Sequence, residues 1–291
     1  MTDRRTIFTL GVDGAPSEGH RSDDGALITL AATLRPGVAQ FTGNRTDYAL
    51  NVAHAIRYTN KQKLSARQWS GAIHGFHQVF DYSAICMDPN GGGTYIKREL
   101  SEPRQIIHGT EVDATPIVTP DEPLVSAHFI LYMFKRGDTG IESLWPEMAG
   151  DDVLNDAAYA EAKLLLDQAG VGFPRPFHEW TREEMHGWPE ERVWALKNLT
   201  ALQKQLADIL VATREDGTFA FTKRNARQFS SKGKKDFVSA FMYAYVAFLV
   251  WLKRNDGEYQ ENEEDAVGFS AFKGCAPPPH LNPVSTPFYP G

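Results

Sequence analysis

The sequence predicts an α/β fold, and three observations carry that expectation. Two short apolar runs each end in an acid that is followed at once by a glycine-containing turn: Thr6 to Val12 runs into Asp13, and Ser83 to Met87 runs into Asp88-Pro-Asn-Gly-Gly-Gly93. A helix-patterned stretch, Ser65 to Phe80, leads directly into the second run. A long apolar and aromatic stretch, Phe237 to Leu252, supplies a helix able to cover a sheet. An acid at the carboxyl end of a buried strand, facing a sharp turn, is a common place for chemistry in α/β folds.

Composition supports a globular chain. Its 291 residues suffice for one large domain or two small ones, and 42% apolar content supplies a substantial core. A net charge of −7 argues against a uniformly basic nucleic-acid binder, although the charge is unevenly placed. Cys86 and Cys275 are too few and too far apart for a disulfide framework or a zinc knuckle, which fits a reducing, intracellular setting. No run of about 18 apolar residues is present to span a bilayer. The start, Met-Thr-Asp-Arg-Arg, has no following apolar segment, so no signal peptide is expected.

In chain order, Thr6 to Val12 and Ala26 to Leu34 read as strands joined by a polar loop that carries His20, Asp23 and Asp24. Thr46 to Tyr58 is expected to be helical, with Leu50, Ala53, Ala55 and Ile56 as its apolar positions. Ser65 to Phe80 is a firmer helix: Ser65 is placed to cap it, and Trp69, Ile73, Phe76, Val79 and Phe80 share a face. Ser83 to Met87 is a buried strand, and Thr94 to Leu100 starts a helix. Phe129 to Phe134 is either a strand or part of a helix. Asp152 to Ala169 reads as an amphipathic helix closed by Gly170, Glu190 to Thr213 as a long helix stopped by Asp216-Gly217, and Thr218 to Thr222 as a short strand. Residues 1–254 form the folded part, and the acidic, then proline-rich segment 255–291 is a solvated or partner-dependent tail.

Asp13, Asp88 and Asp236 are the candidate functional residues. The first two end strands, and the third begins the Phe237 helix, where its side chain can point back at the sheet edge. Hard divalent cations choose such oxygen ligands and keep several waters. Two of them would clamp the attacking and leaving oxygens of a phosphodiester in line. Each acid also has a local explanation as a turn residue or a helix cap. A second feature points the same way. Lys223, Arg224, Arg227, Lys232, Lys234 and Lys235 crowd the segment leading to Asp236, and a basic segment in an acidic protein is the footprint expected for a phosphate backbone. A solvated surface loop is the alternative for that segment.

Other chemistries are excluded or weak. There is no G-x-x-x-x-G-K-[ST], no G-x-G-x-x-G and no H-E-x-x-H, and no serine or cysteine sits in a nucleophile elbow. His74 and His77 are three apart on a helix and could bind a metal, but they read better as a polar edge of the Trp69 helix.

In order along the chain, four pieces resemble the C-terminal nuclease domain of the large terminase subunit of tailed bacteriophages. They are Gly11-Val-Asp13-Gly-Ala with Asp23-Asp24-Gly-Ala-Leu-Ile, Ile85-Cys-Met-Asp88-Pro-Asn-Gly-Gly-Gly, Val153-Leu-Asn155 with the helix to Gly170 and Pro174, and Lys234-Lys-Asp236-Phe-Val-Ser-Ala240. The resemblance implies an RNase H-like mixed β-sheet flanked by helices on both faces. It implies a metal-dependent endonuclease that cuts concatemeric double-stranded viral DNA during packaging in the cytoplasm of the infected host. Mg²⁺ or Mn²⁺, one ion or two, would be held by Asp13, Asp88 and Asp236, with Asp24 a fourth ligand or a loop stabiliser. The implied partners are double-stranded DNA, a terminase small subunit, a portal protein and a packaging ATPase domain that this chain lacks. Long spacings between the acids imply insertions around residues 35–65 and 101–150. Phe237 stands where many relatives carry a second acid, so the number of metals stays open. Two other readings share the residues: an RNase H-like nuclease of the junction-resolvase type, and a non-catalytic DNA- or portal-docking module.

Overall fold

A computed structural model describes residues 6–14, 24–59, 62, 64–87, 92–107, 109–117, 130–133, 164–207, 209–213, 219–223 and 236–255. In chain order its strands are β1 (Thr6–Asp13), β2 (Gly25–Leu34), β3 (Tyr48–Tyr58), β4 (Ala84–Met87), β5 (Arg104–Ile107), β6 (Thr110–Asp113), β7 (Ile130–Met133), β8 (Val171–Gly172), β9 (Ile209–Thr213) and β10 (Phe219–Lys223). The helices that matter here are α1 (Ala66–Phe80), α2 (Thr94–Leu100), α3 (Glu190–Ala207) and α4 (Asp236–Asn255).

The central sheet has the order β7-β4-β1-β2-β3-β8. Strands β1, β2 and β3 form an antiparallel meander. Then β4 runs parallel to β1, β7 parallel to β4, and the two-residue β8 parallel to β3. Alternation along the strands builds two separate cores. Ile7, Ala26, Ile28, Leu30, Ala84 and Cys86 face α4 and α3. Leu10, Val12, Leu27, Ile85 and Met87 face α1 and α2. The mixed sheet with helices on both faces is the α/β architecture expected from the sequence.

Helix α1 starts and stops where its sequence dictates. Ser65 and Gln68 form a capping box, and Asp81 closes the helix in a left-handed conformation at φ 50°. Its Trp69, Ile73 and Phe76 are buried against the sheet. The β5–β6 hairpin is tied down by Gln105, which is fully buried: Ser70 Oγ donates to its Oε1 at 2.7 Å, and its Nε2 donates to the carbonyls of Glu99 at 2.7 Å and Glu102 at 2.9 Å. Helix α4 is apolar on every side, and each residue from Asp236 to Phe248 is buried. A helix of that character belongs in an interior. Among the described residues no helix is long and apolar enough to cross a membrane.

Two expectations are corrected. Residues 48–58 are strand β3, not helix. Its register against β2 shifts at a bulge: Thr29 pairs with His54 and Leu30 with Val52, leaving Ala53 extra. The buried positions therefore run Tyr48, Leu50, Val52 and then Ala55, which breaks the period of two and mimics helical spacing. The long helix predicted to Thr213 ends at Ala207, and Ile209–Thr213 pairs antiparallel with Phe219–Lys223. The run Ile-Leu-Val-Ala-Thr prefers an extended partner to a further helical turn. Phe129–Phe134, left open between strand and helix, contains β7. Most of Asp152 to Ala169 lies outside the described residues, as does the tail from 256 onward.

His74 does not lie on a polar edge. It is buried between α1 and α2, and burial pushes its imidazole down to about 4, helped by the neighbouring His77. His54, buried against Phe76 with ring centroids 4.8 Å apart, is pushed by burial to about 3. Both folded values lie below the ordinary 6.5, so both rings are neutral in the native chain and take up a proton on unfolding. Stability is thus expected to fall as pH drops from about 6.5 towards 4, by up to about 1.4 kcal/mol per pH unit for each histidine. Urea unfolding of the parent and of His54→Leu at several pH values checks this. The variant should show a shallower loss over the same window.

Candidate functional site

The site forms where α4 crosses β1. Thr9 Oγ1 donates to the Ala244 carbonyl at 2.9 Å. Two residues further along β1, a Cβ on Gly11 would lie 1.8 Å from the Ala240 carbonyl oxygen. Strand and helix therefore run in opposite directions, two strand residues matching four helix residues. The steps are commensurate, about 6.6 Å along a strand and about 6 Å along a helix. One more step leads from Gly11 to Asp13 and from Ala240 to Asp236. Asp13 shares the α4 face with Thr9 and Gly11, and Asp236 lies on the same stripe of α4 as Ala240 and Ala244. The two acids thus close the crossing at the end of the sheet. Asp236 is buried, as the first residue of α4, where a negative charge meets the positive end of the helix dipole.

Asp24 lies immediately before β2, in the connection from β1. Asp13 pairs with Ala26, and Asp24 lies two residues before Ala26, so it falls on the same face. Its carboxylate is 1% exposed and meets Arg57 Nε at 3.5 Å. Arg57 pairs with Ala26 from the other side, so Asp13, Ala26 and Arg57 form one row across three strands. The Arg57 guanidinium also lies 5.9 Å from the centroid of the Phe237 ring, next in the chain to Asp236. Sequence reasoning did not find Arg57. Its only signal is the change of phase after Val52, which marks the bulge.

Asp88 lies outside the described residues, as do Arg224, Arg227, Lys232, Lys234 and Lys235. Lys223 is the last residue of β10. Strand β4 ends with Met87 paired to Val12, so Asp13 and Asp88 each follow the same registered pair in the sequence. Among the described residues no group of three or more His, Cys, Asp or Glu is placed to hold a metal ion. The donors at the crossing, Asp13 and Asp236, are hard oxygens. That suits a cation such as Mg²⁺, which takes one or two carboxylates and completes its shell with water and phosphate.

The crossing depends on Gly11. Gly11→Ala drives a methyl group into backbone on the other side, where no rotamer change relieves it. A loss of about 3 kcal/mol is expected by urea unfolding. Gly75→Ala on α1 is the control: its Cβ meets only the Ile107 Cγ2 at 3.5 Å, and a gain of up to about 1 kcal/mol is expected there.

No family model matches the sequence, and no curated protein matches it significantly. Among solved structures, similarity is found to the large terminase nuclease of thermophilic phage G20c with bound magnesium. The identity is 13%, the TM-score 0.38, and the match covers 84% of this chain and 82% of that one. A second crystal structure of that nuclease matches at 11% identity and TM-score 0.36, covering 83% and 82%. A mutant of the large terminase subunit of bacteriophage sf6, with calcium, matches at 10% identity and TM-score 0.42, covering 82% and 86%. At these identities and scores the likeness is remote.

Proposed function

We propose that this chain is a divalent-cation-dependent nuclease of the phage-terminase type, acting on concatemeric double-stranded DNA during genome packaging. The observation that carries the reading is the close approach of α4 to β1 at Thr9 and Gly11, whose register, continued by one step on each element, leads to Asp13 and Asp236. The order of acid-bearing motifs along the sequence supports it independently.

In this reading Asp13 and Asp236 hold the cation from the strand side and the helix side, and Asp88 completes the set. When bound, Mg²⁺ or Mn²⁺, as one ion or two, supplies a lowered pKa for the attacking water and charge stabilisation for the phosphodiester. The protein's own contribution is rigidity. Asp13 sits on a strand paired on both sides, and Asp236 on a helix anchored by Thr9 and by the fit at Gly11, so neither carboxylate must be ordered at the moment of reaction. Lys223, Arg224, Arg227, Lys232, Lys234 and Lys235 precede Asp236 in the sequence and would approach the DNA backbone. A small terminase subunit, a portal and an ATPase-bearing motor are the partners this role needs, in the cytoplasm of the infected host.

Supercoiled-plasmid cleavage with Mn²⁺, Mg²⁺ or EDTA tests the reading. Nicking is expected with either cation and not with EDTA. Asp13→Asn, Asp88→Ala and Asp236→Asn should each lower it by about a hundredfold or more, since losing even a supporting partner of a metal ligand costs 10–100-fold. One rival shares these residues: a docking module that binds DNA without cutting it. DNA retained on a gel with no cleavage under any cation would establish that rival.

A further inference from the structure

We propose that Arg57 is a phosphate-binding residue of this site: its guanidinium receives a phosphate of the DNA backbone beside Asp13 and Asp236, and Asp24 is its anchor rather than a cation ligand. The inference rests on reading this edge as a phosphodiester site.

The first support is the bulge. Without the extra Ala53, strand alternation would put Arg57 on the α1 face, among Trp69, Ile73 and Phe76. With it, Arg57 falls on the α4 face in one row with Asp13. Bulges recur where a side chain must be re-aimed.

The second support is the way the guanidinium is held. The Asp24 carboxylate is 1% exposed, whereas the Arg57 side chain is 32% exposed. The buried acid forms an ion pair with Nε at 3.5 Å, without a hydrogen bond at that carboxylate oxygen. Among the described residues no other group bonds Arg57, so its two Nη groups remain for a ligand. The Phe237 ring lies against the guanidinium, a contact that steadies the group without occupying a donor. A planar fork, fixed at its base and open at its tip, matches the two oxygens of a phosphodiester.

The competing account makes Arg57 no more than a counter-ion for buried Asp24.

Binding of a short fluorescein-labelled duplex, measured in EDTA across a salt series, separates the two. Arg57→Gln alone strands a buried carboxylate, so the deciding variant is Asp24→Asn/Arg57→Gln, which keeps the parent's net charge and leaves no charge in the pair. Its slope of log affinity against log salt should be shallower by about 0.9, the value of one phosphate contact on duplex DNA. Affinity at low salt should fall roughly tenfold. Arg57→Lys, which keeps the charge, should retain most of the slope. A double variant that stays folded by its thermal transition and keeps the parent's slope overturns the proposal. Plasmid cleavage by the parent decides the underlying reading separately. Cleavage with an unchanged slope removes Arg57 and leaves the nuclease. A shallower slope without cleavage under any cation keeps the phosphate site and removes the nuclease.

Discussion

Helix α4 lies on β1 at backbone distance, and much of the remaining structure follows from that approach. Only a residue without a Cβ permits it at Gly11, and Thr9 adds a side-chain hydrogen bond to the helix backbone one step upstream. Here the contact is backbone on backbone, which fixes the register of the helix along the strand. Because four helix residues and two strand residues advance by similar lengths, that register carries through to Asp13 and Asp236. The apolar bulk of α4, with Phe237, Phe241 and Phe248 fully buried, contributes stability at about 1.5–3 kcal/mol for each large side chain, and the glycine contributes position.

The β3 bulge acts as a second positioning device. Before it, the face towards α4 carries Tyr48, Leu50 and Val52, which form part of the larger core. After it, the same face carries Ala55 and then Arg57, while His54 and Ile56 turn towards α1. A single extra residue therefore changes the α4 face of β3 from apolar to cationic as the strand nears the acidic edge. The cost of burying Asp24 is offset by the cation that this change delivers.

The two faces of the sheet have different chemistry. On the α1 face the polar groups are consumed in structure. Thr29 and Tyr82 share a hydrogen bond of 2.8 Å, burial raises the Tyr82 hydroxyl above its ordinary value, and His77 Nδ1 accepts from the Tyr82 backbone at 3.0 Å. Burial likewise keeps His54 and His74 neutral and engaged in packing. At the end of the strands the α4 face carries Asp13 and the Arg57 guanidinium in one row. The i, i+3 pair of histidines on α1 is thus a packing feature.

Much of this was legible in the sequence. Strands β1, β2 and β4, helices α1, α2 and α4, and the places of Asp13 at the end of a strand and Asp236 at the start of a helix follow from local patterns: alternation or continuous burial, a Ser65 cap with Gln68, and acids placed where chains turn. These signals are local, and each is physically complete within a few residues. Strand β3 and the end of α3 were not legible. An alternation interrupted by a bulge has no fixed period, and Ile209–Thr213 becomes a strand only because Phe219–Lys223 is there to pair with it. Arg57 was invisible for the same reason, since its role depends on which face it takes, and the partner strand decides that. The sequence by itself determined which residues carry charge and which segments must be buried. The tertiary structure alone decided which charges share a face, because that depends on register between distant segments, set by backbone contact at Gly11 and by one unpaired residue in β3.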